Sequence, residues 1–220
     1  LVPDGWLEGM LSAFELSDDV GCVAGQIRLH YPDVVRPAWL DSKYYGVLSE
    51  FYGGDRARLL QPSDKFIGAN FALKRNAVTA VGSFNTALGR TPYNHLGGED
   101  TEYAERLWIL GFKIAYSAAG YIYHRIKPEQ LTYRWIAKNY FWHGVTNSLR
   151  RNWFYPFSVI ARLLTSSLLV LIGLVIFNKR RYVLSSFRVV NAFGAFYGWF
   201  LRLRQNIGRR SEESDIRHGV

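Results

Sequence analysis

An α/β domain followed by a membrane-associated helical region is the fold the 220-residue sequence predicts, and three observations predict it. Apolar residues recur at helical spacing in some stretches and at alternate positions in others along the first 127 residues, with glycine-rich breaks between them. Charge is divided: residues 1–124 hold 11 Lys+Arg against 14 Asp+Glu, and residues 125–220 hold 16 against 4. Two apolar runs, 159–177 and 182–201, are bordered by basic residues. A hydrophobic fraction of 49% excludes a disordered chain, and a single cysteine, Cys22, excludes an intrachain disulfide framework and a cysteine-based zinc site.

In chain order, Pro3-Asp4-Gly5 leads into a helix carrying Trp6, Leu7, Met10, Leu11 and Phe14 on its apolar set. Val20 to Leu29 reads as a strand in which Gly21 and Gly25 allow close backbone approach. Residues 30–42 form a loop holding Trp39, a ring able to stack on a sugar or simply to pack under the loop. A short aromatic helix through Tyr44 to Phe51 follows. Phe66 to Lys74 alternates as a strand, and Asn76 is then expected to cap a short helix, Ala77 to Val81, closed by Gly82. Residues 83–96 read as a loop entering Gly97-Gly98-Glu99-Asp100.

The acidic pair opens a helix with Tyr103, Leu107 and Leu110 on one stripe, Glu102 and Arg106 four apart, and Gly111 as its stop. Asp100 or Thr101 is expected to cap its start. Lys113 to Tyr116 and Tyr121 to His124 read as two short strands. A carboxylate at a helix start is often only a cap, yet the same field favours the charged form that a general base requires. Residues 131–151 interleave aromatics with Arg134, Lys138, His143, Arg150 and Arg151, as in an interfacial helix. Nucleic acid is the competing partner for such a surface, but the apolar runs that follow favour a transmembrane or membrane-embedded pair of helices and no nucleic acid. Three regions are expected: an α/β part at 1–127, amphipathic and membrane helices at 128–205, and a polar, disordered tail at 206–220.

Taken together, Pro3-Asp4-Gly5-Trp6-Leu7, Val23-Ala24-Gly25, Gly68-Ala69-Asn70-Phe71-Ala72-Leu73-Lys74-Arg75, Gly82-Ser83-Phe84-Asn85, Leu88-Gly89, Gly98-Glu99-Asp100-Thr101-Glu102 and Tyr121-Ile122-Tyr123-His124 resemble the inverting family 2 glycosyltransferases of the GT-A fold, in their membrane-associated bacterial form. The resemblance implies the C-terminal part of an α/β sandwich around a mostly parallel sheet. It further implies a nucleotide-diphosphate sugar donor, a glycan or lipid-linked acceptor, and a divalent metal, Mg or Mn. By it Asp100 corresponds to the catalytic base, Glu99 to a supporting acid, Gly68, Ala69, Asn70 and Gly98 to the walls beside donor and acceptor, and His124 to a metal ligand. Location at a membrane, with the catalytic part on the cytoplasmic face, follows in the same way.

Two departures qualify the resemblance. The family's nucleotide-binding half, ending in D-x-D shortly before the position matching Pro3, is absent from these residues, so activity is expected of a longer protein and not of this stretch alone. The alternative is a non-catalytic, membrane-anchored remnant or scaffold. The processive members' Q-x-x-R-W is met only as Gln130-Leu131-Thr132-Tyr133-Arg134-Trp135. One added residue turns a helical Gln by about 100° from the Arg face, which favours transfer of single sugars.

Overall fold

A computed structural model describes the chain apart from residues 33, 92–93, 151–154 and 219–220, and apart from the side chains at 43, 45, 156–157 and 205–218. It divides into two compact units, Leu1–Gly89 with Gly98–Thr132, and Arg90–Gly97 with Tyr133–Val220.

The first unit is an α/β layer. Helix α1 (Trp6–Phe14) precedes β1 (Val20–His30); β2 (Arg58–Leu59), β3 (Phe71–Leu73), α2 (Arg75–Val81), α3 (Glu99–Ile109) and β4 (Lys113–Arg125) follow. The sheet order is β2-β4-β1-β3. Only β1 and β4 run parallel; β3 on β1 and β2 on β4 are antiparallel. The sheet is therefore mixed, which corrects the expectation of a mostly parallel one. The antiparallel members are short, two residues in β2 and three in β3, and both lie within the long connection from β1 to β4 and run against that parallel pair.

Strand β1 is buried from Val20 through Ile27 because both of its faces are covered. Val20 and Val23 pack with Met10, Ala13 and Ala115, while Cys22 and Ala24 pack with Tyr103, Leu107, Ile114 and Tyr116. A register shift between Val20 and Cys22 accounts for Val20 and Val23 sharing a face across three residues. Burial pushes the Cys22 thiol far up, so this cysteine is inert packing and no nucleophile.

Two strand expectations change. Of Phe66 to Lys74, only Phe71–Leu73 is strand. The two segments expected at 113–116 and 121–124 are one strand, β4, with an irregularity between them: Gly25 faces Ser117 and Ile27 faces Ile122, so residues 118–121 of β4 lie opposite the single Gln26 of β1.

The second unit consists of α4 (Tyr133–Arg150), α5 (Tyr155–Ser158), α6 (Ile160–Val175) and α7 (Lys179–His218). Helix α4 occupies the basic aromatic segment expected to be helical; Arg151 of that segment lies outside the described residues. The two apolar runs form α6 and the front of α7, but among the described residues no helix is long and apolar enough to cross a membrane, which corrects the transmembrane expectation. Helix α6 has 16 residues, a length of about 24 Å at 1.5 Å per residue against a hydrocarbon core of about 30 Å. Helix α7 is longer, but Ser185, Ser186, Arg188 and Asn191 dilute its apolar stretch. It continues to His218, through most of the segment 206–220 expected to be a disordered tail.

Glycines set the α4–α7 seam. A Cβ on Gly194 would run into the Phe141 carbonyl, and one on Gly144 into the Asn191 carbonyl. Gly194→Ala gains helix propensity of about 1 kcal/mol but forces the backbones apart, an overpacking cost of about 1–3 kcal/mol. The expected net result is a lower unfolding temperature, measurable by circular dichroism in mild detergent.

Candidate active site

The acidic pair is presented by the start of α3. Gly98 is its N-cap residue, with φ 93° and ψ 8°, a left-handed conformation that glycine adopts without a Cβ penalty. Asp100 and Thr101 are not the cap; Glu99 and Asp100 both stand in the first helical turn. Asp100 Oδ2 accepts the Gly68 backbone N–H at 2.7 Å, and Oδ1 accepts the Thr101 N–H at 2.7 Å and the Thr101 hydroxyl at 3.2 Å. Charged hydrogen bonds to backbone N–H groups are the stronger kind, so this carboxylate has a fixed direction. The third acid of the turn, Glu102, is committed to Arg106, whose guanidinium also donates to the Val81 and Ser83 carbonyls. It is held as structure, whereas Glu99 Oε2 is buried with no hydrogen-bond partner among the described residues. A buried acceptor left unpaired is a place where an incoming donor is favoured.

Gly68 approaches Asp100 so closely that a Cβ there would lie 2.5 Å from the Asp100 Cβ and 3.0 Å from Oδ2. Gly68→Ala is expected to displace the carboxylate while leaving the sheet intact. A misplacement of about 1 Å at a reacting group costs about 100-fold in rate. Turnover of the full-length protein, compared with unchanged circular dichroism, measures it.

Asn70, the end of the same turn, is 4% exposed and does not offer its amide to solvent. Its Nδ2 donates to the Gln26 carbonyl at 3.0 Å and the Gly120 carbonyl at 2.8 Å, and its Oδ1 accepts the Trp6 indole N–H at 3.0 Å. These carbonyls lie within the irregularity of β1 and β4, where regular ladder bonding is interrupted. Ser117 completes the patch: its hydroxyl donates to the Gly9 carbonyl and accepts the Gly120 N–H. Gly25 is required here, since a Cβ would meet both the Gly120 carbonyl and the Asn70 amide. The 68–70 turn, and with it the Gly68 N–H, is thus bolted to the sheet through Asn70.

The other expected site residues fall as follows. Ala69 is the middle of the turn, between Gly68 and Asn70. Trp39 lies half-buried in a turn after Pro37. His124 lies half-buried on β4, in register with Leu29. The hydrogen bonds of Asp100 go to Gly68 and Thr101, and neither Trp39 nor His124 shares in them. Among the described residues no group of three or more His, Cys, Asp and Glu stands together in a way that could hold a metal. The described residues alone do not fit a metal centre; His124 would at most be one ligand of several.

Sequence reasoning missed Trp6, Gln26, Ser117 and Gly120 as parts of this structure. Trp6 reads as one more apolar residue of an amphipathic helix, and nothing in its spacing points to an asparagine 64 positions away. The available signal was the run of small residues Ser117 to Gly120 inside an otherwise aromatic strand, which marks a bulge.

No family model matches the chain. Over 148 residues it is 25% identical to the succinoglycan biosynthesis protein ExoM of Rhizobium meliloti (strain 1021), an alignment covering 66% of this chain and 43% of that protein. The chain thus spans less than half the length of the curated relative it matches, and its similarity is to a protein of succinoglycan biosynthesis.

Proposed function

We propose that the chain is the acceptor-side part of a glycosyltransferase of polysaccharide assembly, which in its full-length form moves a single sugar from a nucleotide-diphosphate donor to a glycan or lipid-linked acceptor with inversion. The observation that carries this reading is the Asp100 carboxylate, aimed from the first turn of α3 and fixed by the Gly68 N–H. The distant similarity to a succinoglycan biosynthesis protein supports the substrate class.

In this reaction Asp100 accepts the proton of an acceptor hydroxyl. The hydroxyl oxygen forms a bond to the anomeric carbon from the face opposite the leaving group, and the bond from that carbon to the diphosphate oxygen breaks. The proton ends on Asp100 and the electron pair on the nucleoside diphosphate. A carboxylate that is already hydrogen-bonded on both oxygens has little reorientation to make during the transfer. Glu99, whose Oε2 has no partner among the described residues, takes a second acceptor hydroxyl. The Gly68–Asn70 turn forms a wall beside the reacting groups, and Trp39 is a platform for a sugar ring. A divalent metal, were one held at His124 together with ligands outside these residues, would supply neutralisation of the departing diphosphate.

The test is a donor screen on full-length protein with divalent metal present, measuring release of nucleoside diphosphate with and without glycan acceptors. Acceptor-dependent release with one donor is the expected result. No release with any nucleotide sugar, from protein that binds none of them, would exclude the reading.

A further inference from the structure

Helix α6 is arranged inside out for a helix surrounded by water. On α6 the buried positions are Ser166 and Gly173, small residues, and a Cβ on Gly173 would lie 2.8 Å from the Tyr182 backbone nitrogen. The opposite face carries Leu164, Leu168, Leu171 and Val175, exposed by 66%, 57%, 60% and 77%. Their spacing of four, three and four confines them to an arc of about 60° on a helix of 3.6 residues per turn. An amphipathic helix in water points such a stripe at the core and its small polar residues outward. Here the order is reversed.

At the α4–α7 seam Phe187 is buried against Tyr133 and Tyr140, Ser148 and Ser186 are buried, and glycines let the backbones touch, while Phe193, Tyr197 and Phe200, spaced by four and three, are exposed on α7. Where lipid replaces water, large apolar side chains gain nothing by turning inward. Small residues then take the seam, because close packing and polar contacts hold the helices together. Contiguous leucines of this kind on a surface mark an interaction site.

Charge identifies what covers the face. No Asp or Glu occurs between Glu129 and Glu212, while Lys179, Arg180 and Arg181 are exposed just past the end of α6. Between leucine stripe and basic cluster lies Phe177, 95% exposed at φ 51°. Apolar side chains running into a basic cluster, with no acid nearby, match acyl chains beneath anionic headgroups. A soluble partner's apolar groove would satisfy the leucines but gives no account of the exposed basic residues that follow them. Helix α6 is too short to cross, and a helix lying in the interface does not need to.

We infer that α6 docks flat on an anionic bilayer, with Leu164, Leu168, Leu171 and Val175 among the upper acyl chains and Lys179, Arg180 and Arg181 at the headgroups. The inference rests on the helical unit alone and is independent of the sugar-transfer reading.

Nitroxide labels on Leu164→Cys and Val175→Cys of the full-length protein test it, with any cysteine outside these residues replaced by serine; Cys22 is buried and does not compete. The probe is a vesicle of phosphatidylcholine with phosphatidylglycerol, against phosphatidylcholine alone. Oxygen and nickel-chelate accessibility should place both labels at the same shallow acyl depth. Neutralising Lys179, Arg180 and Arg181 to Gln should weaken sedimentation with the anionic vesicles about 100-fold, each basic residue near the surface contributing about fivefold. Unchanged circular dichroism establishes that the variants fold. Labels at depths differing by the helical rise between them, about 16 Å, would overturn flat docking in favour of a crossing. Labels that stay in water on vesicles, or that dry out in vesicle-free buffer as a dimer forms, would overturn the bilayer as occupant. Binding indifferent to the three substitutions would also overturn the assignment.

Discussion

Asn70→Ala is expected to cost the α/β unit about 3 kcal/mol or more, because it leaves two buried carbonyls and one indole N–H without partners, each worth about 1–3 kcal/mol when stranded. Domains are stable by only about 5–15 kcal/mol, so this single change removes a large share. The partners are specific: Gln26 and Gly120 carbonyls on Nδ2, and Trp6 Nε1 on Oδ1. A graded series separates the bonds. Trp6→Phe removes the indole donor and part of the ring's packing, strands one group instead of three, and should cost about 1–3 kcal/mol. Asn70→Asp keeps an acceptor for Trp6 but sets a carboxylate oxygen against two carbonyls, so it should be worse than alanine. Urea unfolding of the three variants, followed by far-ultraviolet circular dichroism, checks the order Trp6→Phe, Asn70→Ala, Asn70→Asp in increasing destabilisation. If Asn70→Ala were as stable as the parent chain, the bolt would be ornamental.

The bolt connects fold to chemistry. Asn70 fixes the turn that carries Gly68, Gly68 fixes Asp100, and Gly98 starts the helix that delivers Asp100 to it. The two segments, 68–70 and 98–100, are distant in the chain, Gly68 and Asp100 being 32 positions apart, and meet through the Asp100 carboxylate on the Gly68 N–H. Glycine is needed at 98 for its positive φ and at 68 for the room beside Asp100.

What was legible in the sequence were the elements whose signal is local. Helix α1, strand β1, helix α3 and the glycines that end α2 and α3 follow from periodicity and from residues favouring a left-handed backbone; Gly82 and Gly111 have φ 78° and 84°. Asp100 was legible as a functional candidate through its place before an amphipathic run. Asn70 was legible as a member of the right turn but not in its role. Its side chain answers a gap between β1 and β4 that exists only once those strands pair, across separations of 44 and 50 residues. The mixed direction of the sheet was hidden for a similar reason, since alternation of apolar residues is the same in either direction. The apolar runs of the helical unit were seen, but hydropathy does not tell which face turns outward, and the exposed leucines of α6 appear only when α6 is set against α7.

The most direct test of Asp100 as the base is Asp100→Asn in the full-length protein, measured as sugar transfer alongside donor binding. Asparagine preserves size and keeps the Gly68 N–H bond through its one oxygen, while its NH2 group gives up the Thr101 N–H bond within the same turn, a local loss that unchanged donor binding separates from the loss of the base. What it cannot do is take the acceptor proton, and loss of a general base costs about 10²–10⁴-fold in rate. The predicted result is a kcat lowered within that range and an unchanged donor dissociation constant, the pattern of a group that acts only in the transition state. Undiminished transfer by the Asp100→Asn variant would contradict it.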